Sequence, residues 1–225
     1  MTGNVIQIQD LKFSHPGGGF RLSIADMSVQ WGERVAVVGP SGTGKTTLLN
    51  LVAGILQPAS GRIEVAKTTL SSLGDGARRT FRSANIGFVF QNFALIDYLT
   101  ARHNILYPYR ISDVLRLTPE VRARAEALGA AVGLSDKLDR KPAALSQGEQ
   151  QRIAICRALI TQPQILLADE ATGNLDPENK ELILDLLFEQ ARASNASLLA
   201  VTHDHALLPR FDRVIDFAGF RQVPA

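Results

Sequence analysis

Disulfide bracing is excluded at once, because the 225 residues hold one cysteine, Cys156. That usage fits a reducing compartment, and the setting "RIAICRALI" reads as a buried structural thiol rather than a reactive one. Long hydrophobic runs are missing too. None approaches the roughly 18 consecutive apolar residues of a membrane-spanning helix. The start, "MTGNVIQIQD", has no basic segment leading into an apolar one, so no signal peptide is expected. Any membrane role then comes through another polypeptide. Charge of one sign is scarce. Lys and Arg number 24 against 22 Asp and Glu, a net +2, too little to argue for a nucleic-acid partner. No internal repeat or low-complexity tract is visible. The chain does have 45% hydrophobic and 20% charged residues, enough for one sizeable core.

Short apolar runs punctuate the sequence at Val35–Val38, Ile86–Phe90, Ile165–Ala168, Leu198–Val201 and Val214–Phe217. They are too short for core helices and too continuous for half-exposed strands, which predicts a buried, largely parallel sheet. Helical stripes lie between them. Leu48, Leu49, Val52, Ile55 and Leu56 form one; Leu182, Ile183, Leu186 and Leu187 form another behind Pro177, a suitable first helical residue. The first thirty residues alternate instead, in "NVIQIQDLKFSH" and "FRLSIADMSVQW" around "PGGG", and predict antiparallel strands. The middle of the chain has helical character, in "TPEVRARAEALGAAVGL" and "SQGEQQRIAICRALI". The expected layout is an α/β core with an N-terminal antiparallel β layer and a helical insertion.

Two stretches carry chemistry. "GPSGTGKTTLL" places Gly39, Gly44, Lys45 and Thr46 in the pattern G-x-x-x-x-G-K-[ST], directly after an apolar run and before an amphipathic one. Glycines let the backbone turn its N–H groups inward around an anion, and the following helix aims its positive end at the same point. Lys45 adds a full charge for the β- and γ-phosphates, and the Thr46 hydroxyl can ligate Mg²⁺. The expected ligands are ATP and Mg²⁺. In "ILLADEATGNLD", an apolar run ends in Asp169 and Glu170. Ligands of open α/β sheets bind at the carboxyl ends of strands. Asp169 is therefore a candidate for the metal, often through water, and Glu170 for the base that activates a water. A kinase must exclude water, so the pair favours hydrolysis.

With these in place, "ALSQGEQQRIAICRALI" resembles the signature helix of ABC transporter ATPases, normally opened by Leu-Ser-Gly-Gly-Gln. Here Leu145, Ser146, Gln147, Gly148 and Glu149 stand in that place. The resemblance covers nearly the whole chain and continues residue by residue. Gln91 in "GFVFQNFAL" matches the glutamine that approaches the metal and water, Asp176 in "GNLD" the D-loop aspartate, and His203 in "VTHD" the switch histidine. His15, in "LKFSHPGG", stands where the family usually has a tyrosine stacked on adenine, and Ala171 where it usually has proline. "NIGFVFQNFALIDYLTARHNILYP" is most similar to the ATPases of lipoprotein-release, macrolide-efflux and cell-division permease systems, with Asn104 and Pro108 at matching spacings.

The resemblance implies a P-loop NTPase core of ABC type in a single nucleotide-binding domain. Residues 1–91 and 160–225 would form the catalytic core, and 92–159 the helical subdomain. It implies catalysis by Glu170, His203 and Gln91, nucleotide contacts from His15, Gly39, Ser41, Gly42, Gly44, Lys45, Thr46, Thr47, Ser146, Gly148 and Asp176, and metal contacts from Thr46, Gln91 and Asp169. Ser146 and Gly148 of one copy would close on the nucleotide of another, so the active form is a homodimer. That dimer would power a transmembrane permease, docked near the aromatic segment Gln91 to Tyr109, from the cytoplasmic face of the inner membrane. A regulatory ATPase that signals through a membrane partner without transport is the alternative. A DNA-repair ABC ATPase would need a far longer helical insertion, and a translation-associated one a second nucleotide-binding unit. A non-ABC phosphotransferase would have to transfer phosphate to an acceptor other than water.

Overall fold

The computed structural model describes residues 3–15, 20–173 and 177–220. The alternating start of the chain forms β1 (Asn4–Ser14) and β2 (Arg21–Gln30), which pair antiparallel. β4 (Ser60–Val65) adds to the other edge of β1, and β5 (Thr68–Thr69) follows it, giving the order β2-β1-β4-β5. One face buries Ile6, Ile8, Leu11, Ile24 and Ile63. Each such side chain contributes roughly 1.5–3 kcal/mol when taken fully out of water.

The apolar runs form the second sheet. β3 (Arg34–Val38), β6 (Ile86–Val89), β7 (Ile165–Asp169), β8 (Ser197–Val201) and β9 (Arg213–Asp216) are all parallel, in the order β6-β7-β8-β3-β9. Both faces of its centre are covered. Val35, Val37, Leu167 and Leu199 pack toward the antiparallel sheet and α1 (Lys45–Val52), while Leu166, Leu198 and Ala168 pack toward the helices. This is why the central runs read as continuously apolar. Two expectations are corrected at the margins. The strand expected over Ile86–Phe90 ends at Val89, and Phe90 stacks on Phe88 with ring centroids 4.3 Å apart. The last strand is an edge strand with alternating exposure. Val214 is 41% exposed, and the buried Phe217 belongs to the turn that follows.

The remaining helices are α2 (Asp75–Asn85), α3 (Ala101–Ile105), α4 (Tyr107–Ile111), α5 (Pro119–Ala131), α6 (Gln147–Leu159) and α7 (Pro177–Ala193). α5 starts as its sequence dictates, with Pro119 in the first turn and the Thr118 hydroxyl accepting from the Val121 N–H. The two apolar stripes are narrower than expected. α1 stops at Val52, leaving Ile55 42% exposed, and on α7 Leu182 is 55% exposed while Ile183, Leu184 and Leu187 are buried. A 3.6-residue period that faces Ile183 and Leu187 inward turns Leu182 toward solvent. α6 lies very close to β6. A Cβ on Gly87 would stand 2.2 Å from the Ala158 carbonyl oxygen, so no larger residue fits there. Among the described residues, no helix is long and apolar enough to cross a membrane.

Candidate functional site

Four neighbouring strands deliver the candidate residues. In the order β6-β7-β8-β3, the chain leaves β6 for Gln91, β7 ends at Asp169 before Glu170, β8 leads to His203, and β3 runs into the loop Gly39–Gly44. Parallel pairing aligns these carboxyl ends along one rim. Residues far apart in sequence are brought together by sheet order alone.

The glycine loop curls as its composition predicts. Gly44 has φ +99°, and a Cβ there would meet the Phe20 ring at 2.5 Å. The positive φ favours glycine, and any larger residue would also have to displace the Phe20 ring. The Lys45 ammonium is buried and donates to the Gly39 and Pro40 carbonyls at 2.7 and 2.8 Å, so the loop coordinates its own cation. Thr47 is buried beneath the loop, while Ser41, Gly42 and Thr46 face solvent. Phe20, which the sequence reading did not single out, covers the start of α1. His15 is exposed, edge-on to the buried Phe13 at 4.8 Å and 5.5 Å from Phe20. That aromatic grouping joins residues next to the ends of two paired strands, and only the β1–β2 register reveals it.

Asp169 is buried, and among the described residues its Oδ1 has no hydrogen-bond partner. Burial pushes its carboxyl above the usual carboxylate range. The Thr46 side chain pulls it back, the Glu170 charge pushes it up further, and Lys45 lowers it. An orphaned carboxylate oxygen beside a threonine hydroxyl is a donor set for a hard cation that prefers oxygen ligands.

Glu170 sits in the left-handed region at φ +47°, a strained conformation held by its surroundings. Its N–H donates to the Val201 carbonyl at 3.0 Å, and its own carbonyl accepts from the Gly173 N–H at 2.9 Å. The Gln91 amide donates to its Oε2 at 2.8 Å, and His203 Nδ1 approaches Oε1 to 3.6 Å. The flanks of His203 are pinned. The Thr202 hydroxyl accepts from the Asp204 N–H at 3.1 Å, and the Asp204 carboxylate receives Lys180 at 2.9 Å, which holds its pKa below the usual range. Gln91, Glu170 and His203 thus form one connected cluster.

Ser146 and Gly148 stand apart from it. Ser146 is the N-cap of α6 in a reciprocal capping box. Its hydroxyl accepts from the Glu149 N–H, and the Glu149 carboxylate accepts from the Ser146 N–H at 2.8 Å. Glu149 also receives Lys137 at 2.5 Å, and these partners hold its carboxyl low. The glutamate that departs from the usual signature is therefore occupied in starting the helix. Among the described residues, no hydrogen bond ties Ser146 or Gly148 to the glycine loop of the same chain. Asp176 lies outside the described residues.

Comparison with known proteins agrees with this geometry. Residues 22–173 match the ABC transporter family. The chain is 44% identical over 204 residues to the lipoprotein-releasing system ATP-binding protein LolD of Pseudomonas syringae pv. tomato, covering 91% of this chain and 89% of that one. It is 43% identical over 209 residues to LolD of Cereibacter sphaeroides, covering 92% of each. Among solved structures, the dimeric, post-hydrolysis state of an ATP-binding cassette bound to ADP and Pi superposes with a TM-score of 0.84 at 30% identity, over 97% of this chain and 98% of that one. The chain thus belongs to the ABC transporter family, as one of its ATP-binding and ATP-hydrolysing cassettes.

Proposed function

We propose that this cassette powers a membrane complex that extracts or releases lipid-modified proteins, as a homodimer docked on a permease at the cytoplasmic face of the inner membrane. The lipoprotein-releasing relatives, similar along nearly the whole chain, support the cargo class. A groove of about 280 Å³ lined by Phe88, Phe90, Tyr107, Pro108 and Ile111, with Ile111 63% exposed, supports permease docking beside Gln91. Apolar surface of this kind fits a helix from a partner.

The observation that carries hydrolysis is the Gln91–Glu170–His203 cluster beside the glycine loop. When ATP arrives, the Lys45 ammonium exchanges the Gly39 and Pro40 carbonyls for β- and γ-phosphate oxygens. The loop's N–H groups and the N-terminus of α1 hold the same anion. Thr46 and the unpartnered Oδ1 of Asp169 would hold Mg²⁺, with the Gln91 carbonyl oxygen nearby; bound there, the ion neutralises charge on the phosphates. Glu170 accepts the proton of the attacking water while Gln91 fixes its carboxylate. His203 reaches toward the γ-phosphate from the far side of Glu170. Ser146 and Gly148 of the second copy close over that phosphate, with the N-terminus of its α6 pointing at the charge. Cleavage removes the group that both copies share, and the closed dimer loses its differential stabilisation.

The test is reconstitution with the permease that co-purifies from native membranes, in vesicles carrying a lipid-modified protein. ATP-dependent release of that protein is the expected result. ATP hydrolysis that is stimulated by the permease but moves no lipoprotein would overturn the cargo assignment and favour a regulatory ATPase.

A further inference from the structure

Arg157 lies on α6, the helix that begins at the signature, and is only 9% exposed. Among the described residues no carboxylate pairs with it, and burial pushes its pKa down to about 10, so it remains a cation at neutral pH. A buried cation without a counter-ion is costly unless dipoles compensate it. Here its two terminal nitrogens donate to the Ala94 and Phe93 carbonyls, each at 2.5 Å. Those residues are themselves unusual. Phe93 has φ +60° and Ala94 φ +49°, two consecutive non-glycine residues in the left-handed region, which persists only where the surroundings over-determine it. The reversal begins immediately after Gln91, with the Phe93 N–H donating to Phe90 and the Ala94 N–H to Asn92.

We infer that Arg157 is a positioning residue for hydrolysis: its planar fork holds the strained Phe93–Ala94 reversal, and that reversal sets Gln91 against Glu170. A point charge cannot grip two successive carbonyls at a fixed angle as a guanidinium does. Arg157 also forms one wall of the groove with Phe88, Phe90 and Tyr107. It therefore joins the signature helix, the Gln91 loop and the docking groove in one side chain. The inference rests on the roles given above to Gln91 and Glu170, and acts through them.

The experiment uses the isolated full chain, so it does not depend on the permease. Steady-state phosphate release against ATP concentration is measured for Arg157→Lys, Gln91→Ala and the double variant, with thermal melting alongside. Arg157→Lys should lower kcat about tenfold and leave the KM for ATP within about twofold. In the double variant kcat should fall no lower than in Gln91→Ala alone, because both changes act on one interaction. Adding Ala94→Gly to Arg157→Lys should restore most of kcat, since glycine adopts the left-handed turn without help. Multiplicative losses in the double variant would overturn the inference while leaving Gln91's own role standing. Wild-type kcat for Gln91→Ala would overturn both. Should Arg157→Lys fail to fold, Ala94→Pro tests the same geometry with the buried charge intact, because proline fixes φ near −65°. Its kcat should fall selectively, and an unchanged kcat refutes the inference.

Discussion

Asn104 offers a sharp test of how the loop beyond Gln91 is held. It is completely buried, and its amide faces backbone rather than side chains. Oδ1 accepts from the Ile96 N–H at 2.8 Å, and Nδ2 donates to the carbonyls of Ile96 at 3.1 Å, Leu99 at 3.3 Å and Thr100 at 3.1 Å. An amide nitrogen has two protons, so three acceptors share them. The net count is about three hydrogen bonds, each contributing about 1 kcal/mol. Asn104→Ala should therefore destabilise the fold by about 3 kcal/mol. Spread over a domain of this size, that lowers Tm by about 6–12 °C. Asn104→Asp keeps the shape but replaces the donor with a charge facing three carbonyl oxygens, so at pH 7 it should lose more than alanine. Its pH dependence has a definite sign. Burial among carbonyls raises the folded-state pKa of that carboxyl above its unfolded value near 3.9. The penalty is then small at pH values below the unfolded pKa, grows as pH rises above it, and is complete once pH passes the folded-state pKa. Urea unfolding at several pH values measures both effects. A loss under about 0.5 kcal/mol for Asn104→Ala, or a deficit in Asn104→Asp that does not shrink toward acid relative to wild type, would refute the reasoning.

Glu170→Gln should lower phosphate release by roughly 10²- to 10⁴-fold while leaving ATP affinity intact, since the Gln91 amide can still donate to a carbonyl oxygen; calorimetry and a phosphate assay separate the two effects. The same variant should accumulate as a dimer with ATP in sedimentation. Ser146→Arg should abolish that ATP-driven dimerisation and spare nucleotide binding by the monomer. Cys156, whose thiol burial raises to about 12, should resist alkylation at pH 8 in the native protein and react fully once unfolded, as read by mass spectrometry.

The legible parts of the site were those encoded within a few adjacent residues. The glycine loop, the Asp169–Glu170 pair and the apolar runs before them announce themselves because a strand end and a phosphate cradle are local features. The place of Gln91 in the site came from resemblance, but its contact with Glu170 did not, because that contact depends on β6 and β7 pairing in register. Arg157 was hidden inside an ordinary helical pattern, because its meaning lies in two carbonyls contributed by a distant loop. The same is true of Phe20, whose role appears only when β2 starts beside Gly44. Leu182 misled because hydrophobicity sets a stripe's existence more firmly than its width. The capping role of Glu149 is local too, written in Ser146-x-x-Glu149.

The strand order has a consequence for synthesis. Among the described residues β3, which carries the nucleotide loop, pairs with β8 and β9, and both are made long after it. Until Ser197–Val201 leaves the ribosome, Val35–Val38 has no lateral neighbour, and its two apolar faces await a sheet that does not yet exist. Such long-range closure is slow and leaves sticky intermediates. Nascent chains stopped short of Ser197 should therefore be clients for chaperones and prone to precipitation, and the earliest-made part of the ATP site should be among the last to become competent.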